Sequence, residues 1–584
     1  MQKIMRYLSM AALAVVGAMI SSCTSDDLTT EAPQPKDNNT VTLTTTISLD
    51  GGAQTRALTS AGVKTFAKGD KIAVIYKNTD DEVVKVVSDA LTDDDIIADE
   101  QNHEKKKATF TVTLDNPASN GDLRYIYPAA MASDCFSAVN TNDDETINYD
   151  ALKNQDGTLA SLAKNLDLAI FDGKLTADAK LPTSTATSPV TLTNRLTIGE
   201  FTIKDGKGTA ATTDDKDITS TIVCLSVGDG TNNYFVNRPE GAGPIYVAML
   251  PISNKTVTVN ATINNNNDLY YYSKEVTGVT LQNNYIYPIN VTTAEIDAPL
   301  TLEAIDGGTI SFRNKAAGPV TYRINGLADP AYTIASGDTK EISVDEGDKV
   351  TFFGDNPRYE PGHGEGSTNS LIKCTDDCYV YGNIMSLISS TGYATVTELT
   401  EDNTFTNLFY ENYYMKNHPT KELELPAITL TSDCYYGMFA HCKGLTKAPE
   451  LPAGKDGKGS LASYCYYYMF ACCNGLTEAP ELPATTLKRN CYNEMFSGCE
   501  NLTTAVLPAT KLDFCCYWNM FFECKKLSTV TCLATDISAV SCLDNWLKGA
   551  GTEATNPALY VKAGLNLPRE KWNIPDSWAW HPSL

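Results

Sequence analysis

The sequence contains few of the residues, and none of the motifs, on which catalysis usually depends. HExxH, GxSxG and phosphate-binding glycine loops are absent, and only five histidines occur in 584 residues. The acidic runs 93–95 and 143–145 lack the regular ligand spacing of a calcium loop. The sequence therefore predicts a protein that is not an enzyme, with no cofactor, no metal site and no catalytic residues. A pair of carboxylates that meet only in the fold, as in glycosidases, remains open.

Positive charge is also scarce. Lys and Arg total 46 against 71 Asp and Glu, which gives a net charge of −25 and a pI of about 4.6. A surface this acidic repels phosphate backbones. Nucleic acid is therefore excluded as a partner.

Helical periodicity is rare in this chain. Runs such as TFTVTL and VTVNATI alternate apolar and polar residues, and 30 tyrosines are present. This composition is typical of β structure. With 42% hydrophobic residues the chain can bury proper cores, and 584 residues are too many for one core. We therefore expect a mainly β protein of three or four domains.

The apolar run near the N-terminus, residues 8–20, is too short to span a bilayer. Lys3 and Arg6 precede it, so residues 1–22 are predicted to be a signal peptide. Ile20-Ser21-Ser22-Cys23 resembles the bacterial lipobox, which implies that Cys23 carries the acyl chains of a membrane anchor. An ordinary secretory signal with an incidental cysteine is the alternative.

Residues 23–40 are polar and acidic and are predicted to form a tether. Within them, residues 25–27 (Ser-Asp-Asp) resemble the export signal of Bacteroidota surface lipoproteins. Together with the lipobox, this resemblance implies an outer-membrane lipoprotein that faces the cell exterior.

Residues 41–293 are predicted to form a β-sandwich. Phe110, Val112 and Leu114 alternate with threonines, as in a sheet with one buried face. The Asp-Gly pairs at 156–157 and 172–173 predict turns. The segments at 64–78, 123–130, 194–205 and 281–291 resemble the fimbrillin (Mfa-like) family. This resemblance implies a two-lobed β protein that serves as a fimbrial subunit, anchor or tip, or as a related surface lipoprotein.

In that family an arginine-specific protease can remove the first strand, and a neighbouring subunit then fills the groove. Arg56 lies where such a cut would be expected, although a plain surface arginine is the alternative. More than 290 residues follow Val291, whereas fibre-forming members have their donor strand at the end of the chain. The resemblance thus implies a terminal fimbrial component, or a member that does not polymerise, with other fimbrial subunits as potential partners.

Residues 298–382 are predicted to form a small β-sandwich, after a break at 292–299. Alternating apolar residues such as Ile310 and Phe312 support the strands. Cys374 and Cys378 are four residues apart, but no second pair at zinc-finger spacing accompanies them.

Residues 400–584 contain a repeat, C-Y-x-x-M-F-x-x-C followed by L-T-x-A-P-x-L-P-A. Copies begin at Cys434, Cys465, Cys491 and Cys516, and degenerate copies flank them. A period near 25 residues with fixed apolar positions predicts a solenoid, in which stacked turns bury what one turn cannot. The motif resembles BspA-like leucine-rich repeats, which have Ala-Phe where this chain has Met-Phe. The prolines beside the repeated leucines are predicted to end strands.

The repeat cysteines have two open interpretations. Residues at i, i+4 and i+8 share one face of a helical turn, which would direct both cysteines and the methionine of each copy inward. A buried column of reduced thiols is one interpretation, and disulfides between adjacent turns are the other. A catalytic Cys442 beside His441 is not supported, because the other copies lack that histidine.

Two aromatic columns in the repeat are candidate binding residues. If their rings face outward, they form a strip suited to a protein or to sugar rings, and if they face inward they are a packing ladder. The strip consists of Tyr435, Tyr436, Tyr466, Tyr467, Tyr492, Tyr517 and Trp518.

Two functions therefore remain. The first is a non-enzymatic cell-surface lipoprotein that mediates adhesion or protein–protein interaction, with a host or bacterial surface protein as partner and a position at the end of a fimbria. The alternative is a surface glycan-binding lipoprotein of a nutrient-uptake system.

Overall fold

β-Strands dominate the computed structural model, and within the described residues only two short α-helices occur, α1 at Leu159–Asn165 and α2 at Arg569–Trp572. The prediction of a mainly β protein is confirmed. Among these residues no helix is both long and apolar enough to cross a bilayer. The predicted signal peptide, the tether, Cys23 and Arg56 lie outside the described residues. The structure describes residues 40–48, 65–98, 105, 107–133, 146–166, 168–175, 190–206, 215–238, 243–265, 268–283, 285–360, 369–565 and 567–582.

The first lobe consists of two sheets with a core between them. Its strands are β1 (Thr40–Ser48), β2 (Ala73–Lys77), β3 (Val83–Val87), β4 (Ile96–Ile97), β5 (Lys107–Asp115), β6 (Asp122–Tyr127), β7 (Asn154–Gln155, which joins the next sheet), β8 (Ala169–Lys174), β9 (Val190–Thr191) and β10 (Thr193–Asn194). The sheets have the orders β4-β5-β1-β9 and β10-β8-β6-β2-β3. Phe110, Val112 and Leu114 of β5 are buried, as their alternation predicts. The turn predicted at 172–173 is wrong, because Gly173 lies inside β8 and pairs with Leu123 of β6.

The second lobe is one nine-stranded sheet. Its strands are β11 (Thr197–Asp205), β12 (Lys216–Asp217), β13 (Ile222–Gly228), β14 (Asn233–Asn237), β15 (Ile245–Met249), β16 (Ile252–Asn265), β17 (Asp268–Leu281) and β18 (Ile286–Ile296). The order is β12-β11-β18-β17-β16-β13-β14-β7, with β15 also paired to β11. Strand β18 runs to Ile296, so the first part of the break predicted at 292–299 is a strand.

The following segment forms a seven-stranded and a three-stranded sheet. Its strands are β19 (Thr301–Ala304), β20 (Gly308–Arg313), β21 (Val320–Ile324), β22 (Leu327–Ile334), β23 (Thr339–Val344), β24 (Lys349–Gly354), β25 (Leu371–Cys374), β26 (Cys378–Asn383), β27 (Met415–Asn417) and β28 (Leu423–Glu424). The larger sheet has the order β22-β21-β24-β19-β26-β27, with β28 also on β26, and the smaller one is β23-β20-β25. A disulfide joins Cys374 to Cys378 and so links the two sheets.

This sandwich and the repeats share one core. Strand β26 pairs in parallel with β27 and β28, which belong to the first, degenerate copy of the repeat. A single cluster of buried side chains extends from Leu300 to Trp578. Later copies add the parallel strands β29 (Thr504–Leu507), β30 (Thr529–Cys532), β31 (Ala558–Val561) and β32 (Ala579–His581). The repeats are therefore built directly onto the sandwich.

An arginine lies at the junction of the sandwich with the second lobe. Arg323 of β21 is 7% exposed, and its guanidinium donates to the Thr262 hydroxyl of β16 at 3.4 Å. The same group lies 4.5 Å from the centre of the Phe353 ring and 5.4 Å from that of Phe235. These contacts hold the two parts together through a buried cation over aromatic rings.

A carboxyl at this junction gives a pH-dependent prediction. Burial, followed by the nearby Asp297 carboxylate, raises the pKa of Glu424 to about 7. The folded state thus holds this proton more tightly than the unfolded state, so the group costs stability as the pH rises from about 4.5 to 7. We expect Glu424→Gln to raise the free energy of unfolding at pH 8 by about 1–2 kcal/mol, after allowance for solvent screening, and to have little effect at pH 4.5.

Urea denaturation at the two pH values measures this difference. Glu422→Gln is the matched control, because Glu422 lies two residues away, is 58% exposed and pairs with Lys447. Glu422→Gln should give a much smaller gain at pH 8, because the Glu422 charge is the weakest of the contributions that raise the pKa of Glu424. Equal destabilisation of Glu424→Gln at both pH values would contradict the prediction.

Candidate interaction surface

The four full copies of the cysteine motif lie on top of one another. The Tyr435 N–H donates to the Cys465 carbonyl of the next copy at 3.0 Å. The Phe439 N–H likewise donates to the Met469 carbonyl at 2.9 Å. Intervening N–H groups stay within their own copy, as when Cys442 donates to the Phe439 carbonyl at 3.0 Å. Each copy is therefore hydrogen-bonded internally and to its neighbour, which makes the stack a rigid support.

The backbone of each copy is not helical. In the second copy Tyr464, Tyr468 and Cys472 have φ values of 57°, 58° and 57°, which are left-handed. The helical turn inferred from the i, i+4, i+8 spacing is therefore wrong. The inward direction of the two cysteines and the methionine is nevertheless confirmed, since all of them are 0% exposed. A backbone conformation that repeats every four residues brings every fourth side chain to the same face, as a helix nearly does.

The motif cysteines are buried free thiols. The Cys442, Cys473 and Cys499 thiols donate to carbonyl oxygens of the preceding copy at 3.0, 2.9 and 3.0 Å. Burial raises the pKa of Cys442 to about 12. A buried thiol with a raised pKa is a poor nucleophile, which argues against a catalytic role there. The free thiols agree with the interpretation as a column of reduced cysteines. Within the described ranges no three His, Cys, Asp or Glu side chains are grouped to hold a metal.

The first aromatic column faces inward. Tyr435, Tyr466, Tyr492 and Tyr517 are each 1% exposed. Their rings stack in series, with centroids 5.8, 5.6 and 6.1 Å apart. The proposed binding role of these four tyrosines is corrected: they form the packing ladder, because their rings stack on one another inside the core.

The second aromatic column lies at the surface. Tyr436, Tyr467 and Trp518 are partly exposed and form a half-exposed column. The rings of Tyr436 and Tyr467 stack at 4.8 Å with an interplanar angle of 12°. Each ring of this pair therefore covers one face of the other, and mainly edges and hydroxyls point outward.

Two further tyrosines surround this column: Tyr468, which directly follows Tyr467 in the sequence, and Tyr464, which the repeat pattern does not single out. Tyr464 and Tyr468 have ring centroids 5.8 and 6.4 Å from that of Tyr467. Burial raises the pKa of Tyr468 to about 12. Burial, followed by the negative charge of Glu494, also raises the pKa of Tyr467. These phenols stay protonated at neutral pH and can donate hydrogen bonds to a partner.

A groove of about 490 Å³ lies along the A-P-E-L-P-A segments of the first two copies. Pro449 and Pro480 have no N–H, so these segments do not extend the parallel ladder that begins at Thr504. The third copy lacks a proline at this position and forms β29. Two prolines per copy are the sequence signal for the groove, although the sequence predicts them only to end strands. Pro508, directly after β29, does end a strand as predicted.

Comparison with known proteins gives two partial structural similarities. A proposed cell adhesion protein from Bacteroides fragilis is 10% identical, covers 52% of this chain and 94% of its own, and has a TM-score of 0.23. A fimbrial assembly protein from Parabacteroides distasonis is 10% identical, covers 42% of this chain and 99% of its own, and has a TM-score of 0.21. No family model and no curated protein matches the chain. At these identities and TM-scores, neither family nor function is transferred.

Proposed function

We propose that this chain is a non-enzymatic cell-surface protein that mediates adhesion or protein–protein interaction through its repeat region. The observation that carries the proposal is the half-exposed column of Tyr436, Tyr467 and Trp518 on a stack whose other aromatic column is buried. Tyr and Trp are the residues most enriched at the energetic centres of interfaces. A support hydrogen-bonded along its length holds them in place, so little conformational entropy is lost on binding.

The repeat region is proposed to be a BspA-like leucine-rich-repeat solenoid, and the two N-terminal lobes a fimbrillin-like domain. The repeat period, the buried leucines and the hydrogen bonds between copies support the first assignment. The quoted sequence segments and the two-lobed arrangement of sheets support the second. A crystal structure that superposes poorly on both folds would refute these assignments.

A lipid on Cys23 is proposed to hold the protein at the outer membrane, facing outward. The lipobox-like residues and the acidic residues behind them support this location. Labelled palmitate should enter the wild-type chain and not Cys23→Ala, and equal incorporation would contradict the anchor.

Processing after Arg56 is proposed as an alternative to the anchored form, for a chain that ends a fimbria, because the cut separates Cys23 and its lipid from the rest of the protein. Such a cut would detach β1, which lies between β5 and β9 and contributes the fully buried Leu43 and Ile47. The groove left behind could accept a strand of another fimbrial subunit. A mature N-terminus upstream of β1 on every surface molecule would exclude this step.

The adhesion proposal is tested with bacteria that display the full chain. We expect the double variant Tyr467→Ala/Trp518→Ala to reduce adherence to protein-coated surfaces at least tenfold with unchanged surface expression, because two half-exposed aromatic contacts are lost. Tyr414→Ala is the matched control, since Tyr414 is 45% exposed and lies outside the aromatic column.

Unchanged adherence of the double variant would contradict the role of the column. Adherence abolished by soluble sugars, and not by soluble proteins, would instead favour the glycan-binding alternative.

A further inference from the structure

The half-exposed column lacks an aromatic ring in the third copy, so the rings on either side of this gap are two copies apart. Tyr467 and Trp518 occupy equivalent positions of the second and fourth copies, and the third copy has only Asn493 there. Two copies are roughly 10 Å apart at the spacing of neighbouring strands. A flat group inserted between two rings needs about 3.5 Å on each side. The spacing of the two rings therefore admits one planar group once a ring turns aside, since Asn493 between them is 2% exposed.

The floor of the gap has hydrogen-bond acceptors without donors. Asn493 is 2% exposed, and its Nδ2 donates to Asn490 Oδ1 at 3.1 Å. Its Oδ1 is buried and accepts no hydrogen bond from the part of the chain that the structure describes. Nearly all buried polar atoms in proteins have a partner. The Asn493 oxygen is thus one of the buried atoms of the described residues at which a donor is missing.

A second amide, one motif position later in the adjacent copy, is also only partly satisfied. Asn519 Nδ2 donates to the Glu494 carboxylate at 3.3 Å, and Asn519 Oδ1 is buried with no donor among the described residues. Both amides direct their NH2 groups to internal acceptors and leave their oxygens unsatisfied. Glu494 adds a negative charge close enough to raise the pKa of both Tyr436 and Tyr467, in each case after burial.

These features together specify the ligand. It has to be planar, rich in N–H donors and positively charged, and its faces have to tolerate aromatic rings. A guanidinium has all four properties, whereas an ammonium is a compact charge without a flat face. A sugar ring could donate hydrogen bonds but would leave the Glu494 charge unmatched. The net charge of −25 favours a cationic partner further.

We propose that Tyr467 and Trp518, with Asn493 as the floor and Glu494 and Asn519 beside it, form a slot for an arginine side chain of the protein partner. This inference rests on the proposed adhesive function and specifies which side chain of the partner the surface would bind. Because Asn493 is 2% exposed, entry requires the half-exposed Tyr467 or Trp518 ring to turn aside. The chain's own Arg489 does not fill the slot, since its guanidinium lies 4.6 Å from the centre of the Phe514 ring.

The test uses the full chain and three small probes: N-acetyl-arginine amide, N-acetyl-lysine amide and methyl galactoside. Each is titrated by calorimetry, with tryptophan fluorescence as a second readout. We expect saturable binding of the arginine probe, at least tenfold tighter than that of the lysine probe, and a weaker affinity at high salt. Glu494→Gln should weaken arginine binding about tenfold, and Trp518→Ala should abolish it. Tyr414→Ala should leave it unchanged.

The outcomes separate the two proposals. Absence of arginine binding, equal binding of arginine and lysine, preferential binding of the galactoside, or an unaffected Glu494→Gln variant would each overturn the slot. If the probe fails while Tyr467→Ala/Trp518→Ala still reduces adherence, only this inference is wrong. If Trp518→Ala misfolds, as its melting curve would show, the Glu494→Gln variant decides the result, because that side chain is not in the core.

Discussion

Phe470→Ala is expected to lower the free energy of unfolding of the sandwich and repeats by about 3–5 kcal/mol, the cost typical of truncating a buried Phe. Phe470 is 0% exposed, and its ring stacks between Phe439 at 5.5 Å and Phe496 at 5.8 Å. The neighbouring copies are held apart by backbone hydrogen bonds on both sides, so they cannot collapse into the cavity. Urea denaturation followed by circular dichroism measures the loss.

The matched control is again Tyr414→Ala, which removes an exposed ring and should change the stability by less than about 0.5 kcal/mol. A loss below 1 kcal/mol for Phe470→Ala would contradict the model of stacked copies. It would mean that the copies are not mutually supporting, because in such arrays the contacts between neighbours supply most of the stability.

Gly382→Ala should disrupt the attachment of the repeats to the sandwich. Gly382 has φ +88°, and a Cβ there would lie 2.2 Å from the Pro299 carbonyl oxygen and 2.7 Å from that of Ala298. Both neighbours are backbone atoms and cannot turn away. We expect a loss of about 2–4 kcal/mol in the free energy of unfolding, from the unfavourable φ and the clash together.

Gly337→Ala separates these two causes. Gly337 has a similar φ of +92° but nothing within 4 Å of an added Cβ. It should therefore show only the cost of the left-handed conformation, about 1 kcal/mol. Equal losses in the two variants, measured by urea denaturation, would show that the clash at Gly382 is relieved at no cost.

Periodicity in the sequence was sufficient to predict the burial of the aliphatic, cysteine and methionine side chains, but not that of the tyrosines. Alternation in β5 identified its inward residues, and the spacing within the repeat identified the inward column of Cys and Met. These predictions hold because a side chain's face depends on the local backbone repeat, which the residue pattern must match. The same pattern did not reveal the backbone conformation, since a turn with a left-handed residue at every fourth position and a helix place apolar residues at almost the same spacing.

Other features depend on neighbours that are distant in the sequence. Gly173 looked like part of a turn, but β6 supplies its partner and makes it a strand residue. Tyr435 and Tyr436 are adjacent and identical in type, yet one is buried and the other is half-exposed. Nor does the sequence show that the Asn493 oxygen lacks a donor, because this depends on what surrounds it in three dimensions.

The sequence by itself thus determined the β-rich character, the repeat and the buried columns of cysteine and methionine, since all three follow from short-range patterns of apolar residues. Only the tertiary structure decided which aromatic column faces outward, how the repeats join the sandwich, and where acceptors remain unsatisfied. Those features arise from contacts between copies and between strands far apart in the chain, and no local pattern encodes them.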